Sequence, residues 1–307
     1  MKYADETLGW DDNGTSKSQE YSMFDNFSLD TFVLSEATLR VRHGGNGPPV
    51  LLLHGHPRTH ATWHRVAPLL EDQYTVVCPD LRGFGCSSKP VDTPDHAGSS
   101  KRAKARDCME LMRQLGHERF AVIGHDRGAY TAFRLAMDHP QVVSHLGILD
   151  GVPIIEALER CDEQFATKWW HWFFFSQPVK PEQAILADPD VWYGGSPQDM
   201  GVEAYEDYHA AIHDPATVHT MVEDYRAGLG IDRDHDAVDR RAGRRIACPT
   251  LILWSKQDDL KPLYEDVLAV WEPWTTKQQG RAINCGHHMA EEAPEELAQE
   301  IRAFLRQ

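Results

Sequence analysis

The sequence predicts an α/β fold, a mostly parallel central sheet flanked by helices and interrupted by an inserted helical cap. Three observations predict it. Short apolar runs alternate with helical patterns from about residue 38 to 150, and the alternation resumes at residue 249. Between them, residues 154–239 are aromatic and acidic and contain no clear buried-strand run. That segment carries 5 basic and 18 acidic side chains, net −13, whereas residues 31–153 and 240–290 together are net +5. Such a shift marks a boundary. The expected organisation is an extension over 1–30, a core over 31–153 and 240–307, and a helical cap over 154–239.

Each element has its own local reason. Thr38 to Arg42 alternates as a strand, and residues 43–48 (His-Gly-Gly-Asn-Gly-Pro) form a turn cluster. Pro49 to Leu53 is a continuous apolar run, the pattern of a parallel strand covered on both faces. Trp63 to Leu70 has helical spacing, and Tyr74 to Cys78 reads as the next strand. A helix over 100–116 ends at Gly116, followed by a strand over 120–124, a helix over 128–137 and a strand over 143–149. After the cap come a strand over 249–254, a helix near 263–271, a weaker strand over 280–283 and a helix over 294–306.

Composition excludes several function classes. The 307 residues suffice for one large domain or two modest ones, and 41% hydrophobic with 25% charged residues is a globular balance. A formal net charge of −16 repels phosphate backbones, so nucleic acid is not an expected partner. No apolar run approaches the roughly 20 residues that span a bilayer. The N-terminus is acidic and has no basic region followed by an apolar one, so a cytoplasmic location is expected. Six cysteines without a C-x-x-C pair speak against a zinc cluster or a disulfide framework. The expected partner is a small-molecule substrate, and a homodimer is compatible with this reading.

The chemistry-bearing motif is Gly124-His125-Asp126-Arg127-Gly128, between a predicted strand and a predicted helix. Two glycines permit a strained strand-to-helix turn that exposes the central side chain. The central residue is Asp126 rather than serine. A carboxylate attacking an amide or ester would give a high-energy anhydride, whereas displacement at a tetrahedral carbon gives an ordinary ester. Upstream, His54-Gly55-His56-Pro57 follows a strand, so the N–H groups of His56 and Arg127 can form an oxyanion hole. Downstream, Asn284-Cys285-Gly286-His287-His288 follows the last strand, where a catalytic histidine comes last in chain order. His287 is the choice and His288 the fallback. Two aspartates compete as the third member: Asp150 ends the strand after the elbow helix, and Asp258 follows the next strand.

These residues resemble the α/β-hydrolase family, and within it the carboxylate-nucleophile branch that holds haloacetate (fluoroacetate) dehalogenases and epoxide hydrolases. The resemblance runs from about residue 30 to the end. It rests on the motifs above and on Asp80-Leu81-Arg82-Gly83-Phe84-Gly85, Trp170-His171-Trp172 and Asp224-Tyr225-Arg226-Ala227-Gly228. It implies a halo-acid hydrolase without metal or organic cofactor. In that role Asp126 is the nucleophile, His287 the base and Asp150 the acid. Arg127 binds the substrate carboxylate, and His171, Trp172 and Tyr225 donate hydrogen bonds to the departing halide. One position departs from the pattern. Tyr130 stands where a second carboxylate-binding arginine is usual, and a phenol offers one hydrogen bond and no charge. Asp258, the acid position typical of epoxide hydrolases, supports an epoxide-hydrolysing alternative, with Tyr193, Tyr205, Tyr208 and Tyr225 as candidate ring-opening donors. A non-catalytic ligand-binding protein on the same scaffold is the third reading. If the substrate is an anion, the acids of the cap are expected to face away from the pocket.

Overall fold

The computed structural model describes residues 23–307. Its eight-stranded sheet has the order β1-β2-β4-β3-β5-β6-β7-β8. The strands are β1 (Phe27–Val33), β2 (Thr38–Gly45), β3 (Pro49–Leu53), β4 (Thr75–Pro79), β5 (Phe120–His125), β6 (Val143–Leu149), β7 (Thr250–Ser255) and β8 (Gln278–Ile283). β1 pairs antiparallel with β2, and β2 antiparallel with β4; every later pair is parallel. The mostly parallel sheet is therefore as the sequence predicts.

Side-chain alternation explains why the central strands read as unbroken apolar runs. On β3, Leu51 and Leu53 join one core cluster while Val50 and Leu52 join the other. The first face is covered by α1 (Lys101–Gln114) and α2 (Arg127–Asp138), through residues such as Leu111, Met112 and Phe133. The second is covered by the C-terminal helix, through Leu297, Ile301 and Phe304, and by the turn around Trp63 and Val66. With both faces dry, period 2 leaves no polar positions to mark it.

The excursion between β6 and β7 is helical: α3 (Ile154–Glu159), α4 (Glu163–Lys168), α5 (Trp170–Phe175), α6 (Lys180–Ala187), α7 (Pro189–Tyr193), α8 (Pro197–Met200), α9 (Val202–His213), α10 (Pro215–Ala227) and α11 (Arg233–Arg241). Four helices follow: α12 (Leu260–Leu263), α13 (Val267–Trp271), α14 (Met289–Glu292) and α15 (Pro294–Leu305).

Three expectations need correction. The proposed extension over 1–30 overlaps β1, an edge strand whose side chains are mostly exposed and so give no apolar signal; residues 1–22 lie outside the described residues. The single helix read over 63–70 is two short 3-10 turns, His60–Trp63 and Ala67–Leu69, the second with Pro68 near its start. The helix read near 263–271 is split into α12 and α13, because Tyr264 is extended and Asp266 starts a new helix by accepting from the Ala269 N–H.

Strands β3, β5, β6, β7 and β8 all end on one side of the sheet, and their following loops bring Gly55-His56, Asp126, Asp150, Asp258 and His287 to that edge. The elbow there is tightly packed. A β-carbon on Gly128 would lie 2.4 Å from the Leu53 carbonyl oxygen, and one on Gly124 would lie 2.2 Å from the Gly128 carbonyl oxygen. Gly128→Ala must therefore push β3 and α2 apart, at a cost of about 1–3 kcal/mol or more. The expected outcome is a melting temperature lower by roughly 5 °C or more in a thermal scan.

Candidate active site

Asp126 sits at φ 49°, ψ −117°, an uncommon backbone conformation for a residue with a side chain. Such conformations cost about 1–3 kcal/mol and persist only where the surroundings impose them. Here the imposing contacts are the Asp126 N–H to the Leu149 carbonyl oxygen (3.0 Å) and the glycine packing below. The side chain makes one further contact: its Oδ1 accepts the His56 N–H at 2.7 Å. The loop carrying that N–H is itself tied down. His54 donates from Nδ1 to the Gly55 carbonyl oxygen (2.9 Å), and its Nε2 accepts the Leu81 N–H (3.0 Å). Burial holds the His54 ring neutral, its pKa lowered to about 4, as that pair of hydrogen bonds requires.

The neighbouring motif residue Asp80 is fully buried and has a scaffolding set of partners. Its Oδ1 accepts from the His60 backbone N–H and ring Nδ1, both at 2.8 Å, and its Oδ2 accepts from Arg40 Nε (2.7 Å) and the Cys86 N–H (3.0 Å).

Asp126 faces a cavity of about 320 Å³. His56, Tyr130, Asp150, Asp258, His287 and His288 line it from the sheet side, and His171, Trp172 and Tyr225 from the helical excursion. The sequence reading passed over four further wall residues, Lys168, Trp169, Asp259 and Leu260. Lys168 Nζ donates to Asp259 Oδ1 at 2.6 Å, joining α4 to the loop before α12. No signal in the sequence pairs residues 91 apart; their shared place at the rim is a tertiary fact. None of the cavity-lining residues drawn from 154–239 is acidic, the arrangement expected if the substrate is an anion.

The competition between the two aspartates resolves into a shared contact. His287 Nδ1 lies 2.8 Å from Asp258 Oδ2, within hydrogen-bond range, and 3.4 Å from Asp150 Oδ2. Asp150 is otherwise engaged: Ser255 donates to it from both its backbone N–H (2.8 Å) and its hydroxyl. Burial opposes a charge on His287, but the two carboxylates and the charge of Asp126 outweigh it and hold the imidazolium well above its ordinary pKa. His288 also reaches the cavity, yet its Nδ1 has no partner among the described residues, and burial holds it well below the ordinary range. The acid partners thus belong to His287.

Arg127 is placed differently from the expectation that it faces the substrate. It is fully buried and is not among the residues lining the cavity. Its Nε donates to Asp224 Oδ2 and its Nη2 to the Asp224 carbonyl oxygen at 2.9 Å, while Nη1 has no partner among the described residues. Asp224 also takes hydrogen bonds from the buried Lys101 and Lys104. The guanidinium lies 4.1 Å from the centre of the Tyr225 ring and 5.1 Å from that of Tyr130, so its positive charge backs the aromatic wall. Tyr130 is buried against this charge, with its ring edge-on to Trp172.

Among the halide-site candidates, His171 is held neutral by burial, its pKa lowered to about 4, so it presents one ring N–H as a donor. Trp172 and Tyr225 are buried in the same aromatic group. Of the other tyrosines named above, Tyr193 packs its ring on His56, and Tyr208 donates its hydroxyl to the Gly194 carbonyl oxygen (2.8 Å) within a separate cluster that includes Tyr205.

The double contact at His287 gives a titration test. Asp258→Asn removes one carboxylate that favours the imidazolium, so the His287 pKa must fall. The expected change is a downward shift of about one unit or more in the ring titration followed by NMR. An unchanged midpoint would mean that Asp150 alone governs the ring.

The chain is 42% identical over 292 residues to a fluoroacetate dehalogenase from a Burkholderia species, covering 92% of this chain and 95% of that protein. It is 32% identical to a soluble epoxide hydrolase from Corynebacterium sp. strain C12, covering 82% and 87%. The crystal structure of ALR0039 from Nostoc sp. PCC 7120 superposes with a TM-score of 0.88 at 42% identity, covering 92% of this chain and 99% of that one. Residues 48–294 match the alpha/beta hydrolase fold, and the chain belongs to that family as a hydrolase.

Proposed function

We propose that the protein hydrolyses the carbon–halogen bond of a small halo-acid through an alkyl ester on Asp126, under a helical cap formed by residues 154–239. The observation that carries this reading is a carboxylate at the strained elbow, facing His287 and its acids on one side and a wall of aromatic N–H and O–H groups on the other. The 42% identity to a fluoroacetate dehalogenase supports it.

In the first step an Asp126 oxygen attacks the halogen-bearing carbon. The carbon–halogen bond breaks with its electron pair, and the halide is received by His171, Trp172 and Tyr225. Aimed donors matter most where charge develops on a poor leaving group. Ester formation removes the charge of Asp126, one of the interactions that holds His287 protonated. The ring pKa falls at that moment, the imidazolium releases its proton to solvent, and the neutral His287 then accepts a proton from water. The resulting hydroxide attacks the Asp126 carboxyl carbon. The oxyanion is held by the N–H groups of His56 and Arg127; collapse breaks the ester C–O bond, the departing alkoxide takes the proton of the added hydroxyl, and the hydroxy acid leaves with the Asp126 carboxylate restored. Rate falls on the acid side, because a protonated His287 cannot take the proton from water.

A single turnover in heavy-oxygen water is expected to place label in Asp126, and Asp126→Asn to abolish turnover. Product formed with no label in Asp126 excludes the ester route.

Arg127 is already paired with Asp224 and Tyr130 is uncharged, so neither offers a free guanidinium to a substrate carboxylate. Haloacetate is expected to bind weakly. Tyr130→Arg would add a charge-assisted hydrogen bond, and the KM for chloroacetate is expected to fall roughly tenfold. An unchanged KM would place the substrate carboxylate elsewhere or remove it from the substrate.

A second reading has its own observation. Tyr225 and Tyr130 both line the cavity that Asp126 faces, where a phenol could protonate an epoxide oxygen after attack, and Asp258 is the nearer acid to His287. Halide release from chloroacetate against diol formation from styrene oxide separates the two readings.

A further inference from the structure

The described residues hold a group of side chains that the hydrolytic chemistry does not use. On α9, His209 and His213 are one helical turn apart and so lie on one face. Asp190 on α7 meets them there, outside the residues that line the cavity. His209 Nε2 is 3.3 Å from Asp190 Oδ1, and His213 Nε2 is 3.4 Å from Asp190 Oδ2. The two imidazole rings stack with centroids 4.0 Å apart.

Two features set this group apart from a surface ion pair. His213 Nδ1 lies 2.9 Å from the His209 carbonyl oxygen, which can only accept, so the Nδ1 carries a proton. Nε2 is then the ring nitrogen left to bind a cation, and it is directed at the Asp190 carboxylate. This backbone contact is also the one that commonly orients a metal-ligating histidine. The second feature is the spacing. Bond lengths of about 2.0–2.1 Å to a tetrahedral zinc ion place ligand atoms about 3.3 Å apart along each edge. His209 Nε2 to Asp190 Oδ1 and His213 Nε2 to Asp190 Oδ2 are each close to that separation, one to each carboxylate oxygen, and the ligand atoms of all three side chains lie within 4.8 Å of one another.

We propose that His209, His213 and Asp190 form a surface site for a borderline divalent cation of the Zn²⁺ class, with water completing the coordination. Imidazole and carboxylate are suited to such ions. The ion would clip α7 to α9. Its effect would reach the aromatic wall, because α7 also carries Trp192, stacked on Phe174, and Tyr193, packed on His56.

Isothermal titration of chelator-treated full-length protein with Zn²⁺ tests the proposal. One saturable site is expected, weakened at least tenfold in His213→Ala and in His209→Gln. Saturating Zn²⁺ is expected to raise the melting temperature of the wild type by about 2 °C or more and to leave both variants unmoved. The metal-free melting temperatures of the variants, compared with wild type, establish that they fold. Absence of saturable binding by the wild type, or equal binding by the folded variants, overturns the proposal; the second result would place the ion at another histidine group, such as His125, Asp150 and His287.

Discussion

The site depends on one close crossing of backbone. The turn that follows β5 closes on the end of β3 at Gly128 and on its own backbone at Gly124, so tightly that neither glycine has space for a side chain. This crossing lifts Asp126 out of the sheet at positive φ and sets its carboxylate on the His56 N–H. The strain is retained because the parallel strands beneath are buried on both faces and cannot shift to relieve it. The same edge of the sheet delivers Asp150, Asp258 and His287, so the position of each charged group follows from strand order. The helical excursion supplies none of these and contributes the aromatic wall.

Charge is partitioned along the same line. The helical segment between β6 and β7 carries the acidic excess of the chain, yet the cavity takes from it only a lysine, a histidine and aromatic residues. The carboxylates that reach the cavity come from loops after the strands, and each has a defined neighbour: Asp126 the His56 N–H, Asp150 Ser255, Asp258 His287 and Asp259 Lys168. Behind the aromatic wall, Arg127, Lys101 and Lys104 converge on Asp224. Of these cations Arg127 lies directly against the Tyr130, Trp172 and Tyr225 rings, so positive charge backs that wall. The wall therefore has an electrostatic polarity that its apolar composition conceals.

Much of this was legible without coordinates, and the residues that were not legible share a cause. The central strands declared themselves as apolar runs, and the elbow as two glycines around an aspartate, because those patterns follow from local sterics and double burial. β1 was hidden because an exposed edge strand has no apolar face to show. Lys168 and Asp259 were hidden because an ion pair between residues 91 apart leaves no periodicity. His209 and His213 carry the spacing of a helical ligand pair, but the third member, Asp190, belongs to another helix and only packing brings it near.

The sequence by itself determined the α/β architecture, the strained elbow with its carboxylate, and the histidine loop that follows the last strand, because each is encoded within a few consecutive residues. The tertiary structure decided which aspartate stands nearest His287, and it set the guanidinium of Arg127 on Asp224 rather than on the cavity wall. It decided these because Asp150 and Asp258 are equally placed along the chain, each after a strand, while Ser255 and Asp224 decide which groups are already engaged. Competition between partners is settled by distance in space, and no local pattern records it.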